Sequence, residues 1–417
     1  MKTLLKNAGQ IITVDTKGKN VKRGKNLSDI LPISDTAILF ENGIIKDFIT
    51  NSSADKVEVS SIIDAKDCIV LPGLIECHTH AAYAGSRANE FLMRLKGATY
   101  EEISQAGGGI TSTMKAVRNS SFEDLVRLLK PRIDHFVSQG VTALEIKSGY
   151  GLSFYDEIKL LQVINHFKTN SSIDIVPTFL GAHTYPPEYK NDHGQYLKLI
   201  NEELLPYIFK NKLAEHVDAF CEKTAFSANE VDLIFSNAKN LGYKLRLHTE
   251  QFNAVGGLEV ALKHKALSVD HLEVLQENNI PKLAKSNTAA VLLPGVSFFL
   301  DCPLAPARKL IESNAIVALS TDYNPGSSHI PNLQLVMQLA ALNYKMSVEE
   351  IISAVTINSA YAMDMQESIG SIEIGKQADF AIFDAKDISE IIYNIGINLN
   401  KFTVKKGKIV YSRTREN

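Results

Sequence analysis

The chain has 417 residues, 45% of them hydrophobic and 22% charged, with 44 Lys and Arg against 47 Asp and Glu for a net charge of −3. This is the composition of a globular chain with a large core, and a charge so near zero removes the electrostatic case for nucleic acid or an anionic membrane as a partner. Four cysteines (Cys68, Cys77, Cys221, Cys302) lack any paired spacing, which argues against a disulfide framework or a zinc ribbon. No stretch has the apolar length of a signal peptide or a membrane span, so a reducing cytoplasm is expected.

Residues 1–70 read as short strands broken by turns, at 9–14, 36–40, 44–49 and 62–64, with polar 17–31 as a loop. Such a group is too small to bury a core alone. Residues 366–417 supply the complement, with strand patterns over 370–384 and 402–411. The two ends are expected to form one small β-sandwich domain. Between them, residues 71–365 alternate strand and helix. The strand candidates are Leu74-Ile75, Val141–Lys147, 173–180, 217–221, 244–248, 267–271, 289–293 and 316–320. Leu125, Leu128, Leu129, Ile133 and Phe136 predict a helix over 122–138, after a long excursion at 81–119 that holds Gly107-Gly108-Gly109. Parallel strands need helical crossovers, and eight of them predict a (β/α)8 TIM-like barrel. No Gly-x-Gly-x-x-Gly turn follows a strand, which disfavours a doubly wound sheet.

Barrel chemistry sits where the strands end. The first ends in His78-Thr79-His80, whose imidazoles leave one strand face together. The fifth ends in His248-Thr249-Glu250-Gln251, the sixth in Asp270-His271-Leu272-Glu273, the eighth in Ser320-Thr321-Asp322. These ends ring one mouth. His78, His80, His248 and Asp322 are therefore candidate ligands of a single hydrolytic metal ion, with His271 beside its water and Asp322 as proton carrier. Imidazole and carboxylate suit zinc, iron and others. No Pro-Cys-x-x-Cys accompanies a His-x-Glu anywhere in the chain, so the signature pair of the zinc deaminases is missing. Arg87 lies seven residues after His80 and suits a substrate carboxylate, unless it pairs with Glu90. Tyr150, in the glycine-flanked loop after the second strand, can stack on or hydrogen-bond a planar ring. His183, after the third, can meet a ring carbonyl or carboxylate.

The 72–80 stretch (Pro-Gly-Leu-Ile-Glu-Cys-His-Thr-His), Thr321-Asp322 and Gly375-Lys376-Gln377-Ala378-Asp379 resemble the amidohydrolase superfamily. Three further stretches are similar to its imidazolonepropionase family: residues 86–91 with 94–100, 107–113, and Glu145-Ile146-Lys147-Ser148-Gly149-Tyr150-Gly151. The resemblance implies hydrolysis of 4-imidazolone-5-propanoate to N-formimidoyl-L-glutamate in histidine degradation, with zinc or iron, and a homodimer. It also implies that Asn324, Gly326 and Ser327 line the pocket. Where some relatives carry glutamate this chain has Gln251, an amide that can hold a substrate but cannot accept a proton, so a base at this point would have to be Glu250. The alternative activity is that of another cyclic amidase or an amidine deaminase acting on a small anionic ring. A lysine-bridged two-metal site, through Lys223 or Lys147, is the rarer arrangement.

Overall fold

The computed structural model describes residues 1–98, 102 and 108–413. Thr99, Tyr100 and Gly107, which belong to the stretches singled out above, lie outside the described residues, as do the last four positions of the expected C-terminal segment. Eight parallel strands form one sheet in chain order: β1 Leu74–Glu76, β2 Val141–Lys147, β3 Asp174–Ala182, β4 His216–Cys221, β5 Lys244–Thr249, β6 Ser268–His271, β7 Ala289–Leu292 and β8 Ile316–Leu319. Each falls within two residues of its expected position. A parallel bridge from Thr79 to Tyr323 brings β8 round to β1 and nearly closes the barrel.

The barrel strands are buried on both faces, because one side meets the helices and the other the interior. All seven residues of β2 are buried. Leu144 and Ile146 join the outer core beneath the helices, while Ala143 joins a separate inner cluster with Ile75, Val291 and Ala318. By the period of two, Glu145 and Lys147 share the inner face with Ala143. The helix Phe122–Ser138 lies where the apolar spacing places it, with Ser121 accepting the Asp124 amide as its cap. It buries Leu125, Leu129, Ile133 and Phe136, while Leu128 is only half-buried.

The termini contribute two sheets. One runs Ile44–Thr50, Thr36–Glu41, Lys2–Lys6, Ser61–Asp64; the other runs Lys408–Ser412, Asn400–Lys405, Phe380–Phe383, Ile69–Pro72, Gln10–Ile12, Pro32–Ile33. Leu5, Ile38 and Phe40 of the first share a core with Val70, Phe380, Ile382 and Val404 of the second. Three expectations need correction. Lys2–Lys6 and Ile69–Pro72 are strands that the pattern did not single out. Only Phe380–Phe383 of the 370–384 run is extended, since Gly370 and Gly375 turn the chain with φ of 91° and 92°. The 17–31 loop holds a short 3-10 turn, Gly24–Ser28. No helix among the described residues is long and apolar enough to cross a membrane.

Candidate metal centre

The chain leaves β1 through His78 and His80, whose ring centroids stand 5.4 Å apart. His248 comes from the end of β5, and Asp322 follows β8. His80 Nε2 lies 3.2 Å from His248 Nε2. Asp322 Oδ1 lies 3.4 Å from His78 Nε2 and 3.3 Å from His80 Nε2. All four residues are buried.

The outer nitrogens explain why the inner ones face each other. His78 Nδ1 meets Asp270 Oδ2 at 2.6 Å and His248 Nδ1 meets Asp218 Oδ1 at 3.1 Å. A carboxylate there accepts the hydrogen bond from Nδ1–H, which fixes the tautomer and leaves the Nε2 lone pair pointing inward. Two lone pairs and a carboxylate oxygen then converge, and neither His78 Nε2 nor Asp322 Oδ1 makes a hydrogen bond although both are buried. Such a cluster is repulsive without a cation, and a three-imidazole, one-carboxylate donor set fits a zinc- or iron-like ion. Burial holds the His248 ring well below its ordinary pKa and lowers that of His80, against the opposing pull of Asp218 and Asp322 respectively. Burial alone would raise the Asp322 carboxyl, but His78 and His80 outweigh it and hold it well below the carboxylate range.

His271 stands at the edge of this group. Its Nε2 is 4.0 Å from Asp322 Oδ2 and its Nδ1 is 3.4 Å from Glu273 Oε1. Burial opposes its protonation, yet Glu273 and then Asp322 win and raise its pKa. His271 and Asp322 both have left-handed backbones, φ 87° and 48°. That conformation costs a non-glycine residue roughly 1–3 kcal/mol, a strain typical of sites whose surroundings fix them. His78, His248 and His271 also meet within ligand reach of one another, as do Asp218, His248 and Asp270.

Asp218 and Asp270 were not singled out by the sequence reading, because each meets its histidine across 30 and 192 residues of chain. A buried charge network supports both. Lys147 Nζ lies 2.7 Å from Glu145 and 2.8 Å from Asp218, and Arg246 Nη2 lies 3.2 Å from Asp270. Lys147 is thus committed to an ion pair, and Lys223 is exposed, so neither is placed as a bridge between two metals. Outer-sphere carboxylates of this kind tune metal affinity 10- to 100-fold. Asp218→Asn and Asp270→Asn are each expected to weaken metal binding by about that factor, read by competition with a coloured chelator.

A cavity of about 410 Å³ opens above the cluster. His80, His248, His271 and Asp322 form its inner wall, whereas His78 sits behind them. Arg87, Tyr150, His183, Gln251, Asn324, Gly326 and Ser327 also line it. Arg87 donates Nε to Glu90 Oε2 at 2.8 Å, and Glu90 in turn takes the Gly109 amide at 2.9 Å. Arg87 thus pairs with Glu90 and also faces the cavity, so the pairing does not exclude a contact with a ligand there. A Cβ at position 326 would collide with the guanidinium, so a larger residue there would push the Arg87 side chain from its place. Asn324 spends its amide on its own loop. It donates to the Asp322 carbonyl (2.7 Å) and the Ser327 hydroxyl (2.9 Å) and accepts from the Gly326 and Ser327 amides. It shapes the wall rather than offering atoms to a ligand.

His183 Nδ1 donates to the Gly149 carbonyl at 2.9 Å, which leaves Nε2 as an acceptor. Burial, aided by His80, pushes its pKa down to about 3, so the ring is neutral. It stacks on His80 with ring centroids 5.1 Å apart, and the Tyr150 ring lies 5.3 Å from it. Gln251 is in the cavity wall, whereas Glu250 is not. Burial, with Glu259 and Glu222 nearby, pushes the Glu250 carboxyl up to about 7. Arg94, Phe252 and Cys302 also line the cavity and were missed. Only the spacing of Arg94 from Arg87, two turns along one helix (Ala88–Leu95 with Arg87 as its cap), could have signalled any of them.

A barrel with this cluster at its mouth has the makings of a hydrolase that could hold a metal ion, and comparison with known proteins gives the family. A family model described as "Amidohydrolase family" matches residues 92–411. The imidazolonepropionase of Treponema denticola is 44% identical over 381 residues, 91% of this chain and 92% of that one. That of Alkaliphilus oremlandii is 42% identical over 98% of both chains. Among solved structures, a zinc-bound adenosine deaminase from Xanthomonas campestris superposes with TM-score 0.73 at 17% identity, covering 98% of this chain and 92% of its own. Guanine deaminase from E. coli gives 0.72 at 14% identity, covering 99% and 100%. At such identities the structures speak for the fold alone. The chain belongs to the amidohydrolase family and, within it, to the imidazolonepropionases.

Proposed function

We propose that this hydrolase acts in the cytoplasm to open the ring amide of 4-imidazolone-5-propanoate, giving N-formimidoyl-L-glutamate, with one zinc or iron ion held by His78, His80, His248 and Asp322. One observation carries the metal part of the reading. The Nε2 atoms of His78, His80 and His248 and the Asp322 Oδ1 gather at contacts of 3.2–3.4 Å at the base of the cavity, and His78 Nε2 and Asp322 Oδ1 are buried without a hydrogen bond. When bound, such an ion lowers the pKa of its water to ~7 and polarises the scissile carbonyl.

The protein's own groups do the rest. Asp322 takes a proton from the attacking water and returns it to the leaving ring nitrogen, with Oδ2 toward His271. His271, steered by Glu273, assists from beside the water. Arg87 receives the propanoate carboxylate with its terminal nitrogens. His183 Nε2 accepts from a ring N–H, and Tyr150 faces the ring plane. Gln251 holds the substrate without serving as a base, and Glu250, outside the cavity wall, does not replace it.

A spectrophotometric assay with the imidazolone, before and after exhaustive chelation, tests this. Turnover is expected to vanish with the metal and return on adding zinc or ferrous iron. Undiminished turnover after verified metal removal would sink the metal reading. Turnover of a different cyclic amide or amidine, with the imidazolone inert, would favour the alternative activity.

A further inference from the structure

The histidine pair and Asp322 meet across the weakest joint of the barrel. β1 is three residues long, and its ladder to β2 stops at Glu76 opposite Leu144. Toward β8 it has no ladder. The Ile75 amide donates to the Val355 carbonyl instead, and the Leu319 carbonyl accepts from the Ser359 hydroxyl. Among the described residues, the only paired backbone across this joint is the Thr79–Tyr323 bridge, with the His80 amide donating to the Tyr323 carbonyl at 2.9 Å. Ligand spacing of a few tenths of an ångström needs firmer support than one bridge.

The Glu76 side chain stands in the gap. Its carboxylate is fully buried. It accepts the His78 amide at 3.2 Å on one side of the joint and the Thr321 amide, at 3.3 and 3.2 Å to its two oxygens, on the other. The Ser320 hydroxyl donates to the same carboxylate and lies 3.2 Å from the His78 carbonyl. A side chain thus supplies the acceptors that a strand ladder would have supplied. Glu145 does the same for the Thr79 amide (3.1 Å), but toward β2, where a ladder already exists.

We propose that Glu76 is a positioning residue of the metal centre, whose carboxylate fastens the backbone at His78 to that at Thr321 and so sets the approach of Asp322 Oδ1 to the two imidazoles. The proposal rests on the metal reading above. Cobalt(II) replaces zinc in nitrogen and oxygen sites, and its visible spectrum reports ligand number and geometry. Glu76→Gln preserves shape but turns one acceptor into a donor facing the backbone amides. In the cobalt-loaded full chain it is expected to shift the visible bands and speed cobalt release to a chelator by about 10-fold. Ser320→Ala removes the hydroxyl alone and is expected to give the same band shift in smaller degree, so a folding failure of the first variant leaves the second as the test. The melting temperature of each metal-free variant separates loss of fold from loss of ligand geometry. Unchanged bands and unchanged release in folded variants would overturn the positioning role while leaving the metal centre intact. Failure of the unmodified chain to take up cobalt would overturn both.

Discussion

Asp322→Asn is expected to lower kcat for the imidazolone by about 10³-fold, within the range for loss of a general acid–base group. The amide has nearly the carboxylate's shape and can still offer one oxygen toward His78 and His80, but it cannot carry a proton between water and the leaving nitrogen. The stated role therefore requires that the metal content of the variant stay measurable, and metal analysis accompanies the rate. A kcat within about tenfold of the unmodified enzyme, at full metal content, would show that proton transfer runs through another group. His271, 4.0 Å from Asp322 Oδ2, would then be that group.

Arg87→Met comes next in size, and it acts on binding. The hydrogen bond from Nε to Glu90 fixes the plane of the guanidinium and leaves its two terminal nitrogens for a bidentate contact. A hydrogen bond to a charged group contributes roughly 1.5–3 kcal/mol, so KM should rise by roughly 10- to 100-fold. Metal content should be unaltered, since Arg87 touches none of the candidate ligands. Arg87→Lys should not restore KM, because an ammonium cannot reproduce the planar fork. An unaltered KM in Arg87→Met would refute the anion contact and leave the arginine as a partner of Glu90 alone.

The parts of this architecture that could be read from the chain are those set by local periodicity. The alternation that placed eight strands depends only on apolar runs and helical spacing, as in Val141–Lys147 and Phe122–Ser138. His78 and His80 could be paired because a strand repeats every two residues. The convergence of the candidate ligands followed from one topological rule, that strand ends of a barrel share a mouth. What stayed hidden is set by contacts between distant segments. Asp218 and Asp270 sit inside strands where a carboxylate looks like any polar residue, and only the three-dimensional pairing with His248 and His78 distinguishes them. Ile69–Pro72 runs into the stop signal Pro72-Gly73 and does not stand out as a strand in the sequence, yet it pairs on both sides with strands from the two ends of the chain. Arg87 shows the converse. Its two sequence readings looked exclusive, but the pairing with Glu90 leaves the side chain facing the cavity, so one does not rule out the other.

Gly73 is all that separates Ile69–Pro72 from β1, and its amide is held by the Asp379 carbonyl at 2.9 Å. The same extended run is therefore clamped near its start by Phe380–Phe383, the first strand of the carboxy-terminal segment, and delivers two imidazoles at its finish. Trimming the tail of this polypeptide, hundreds of positions downstream, would slacken the tether from which those rings hang.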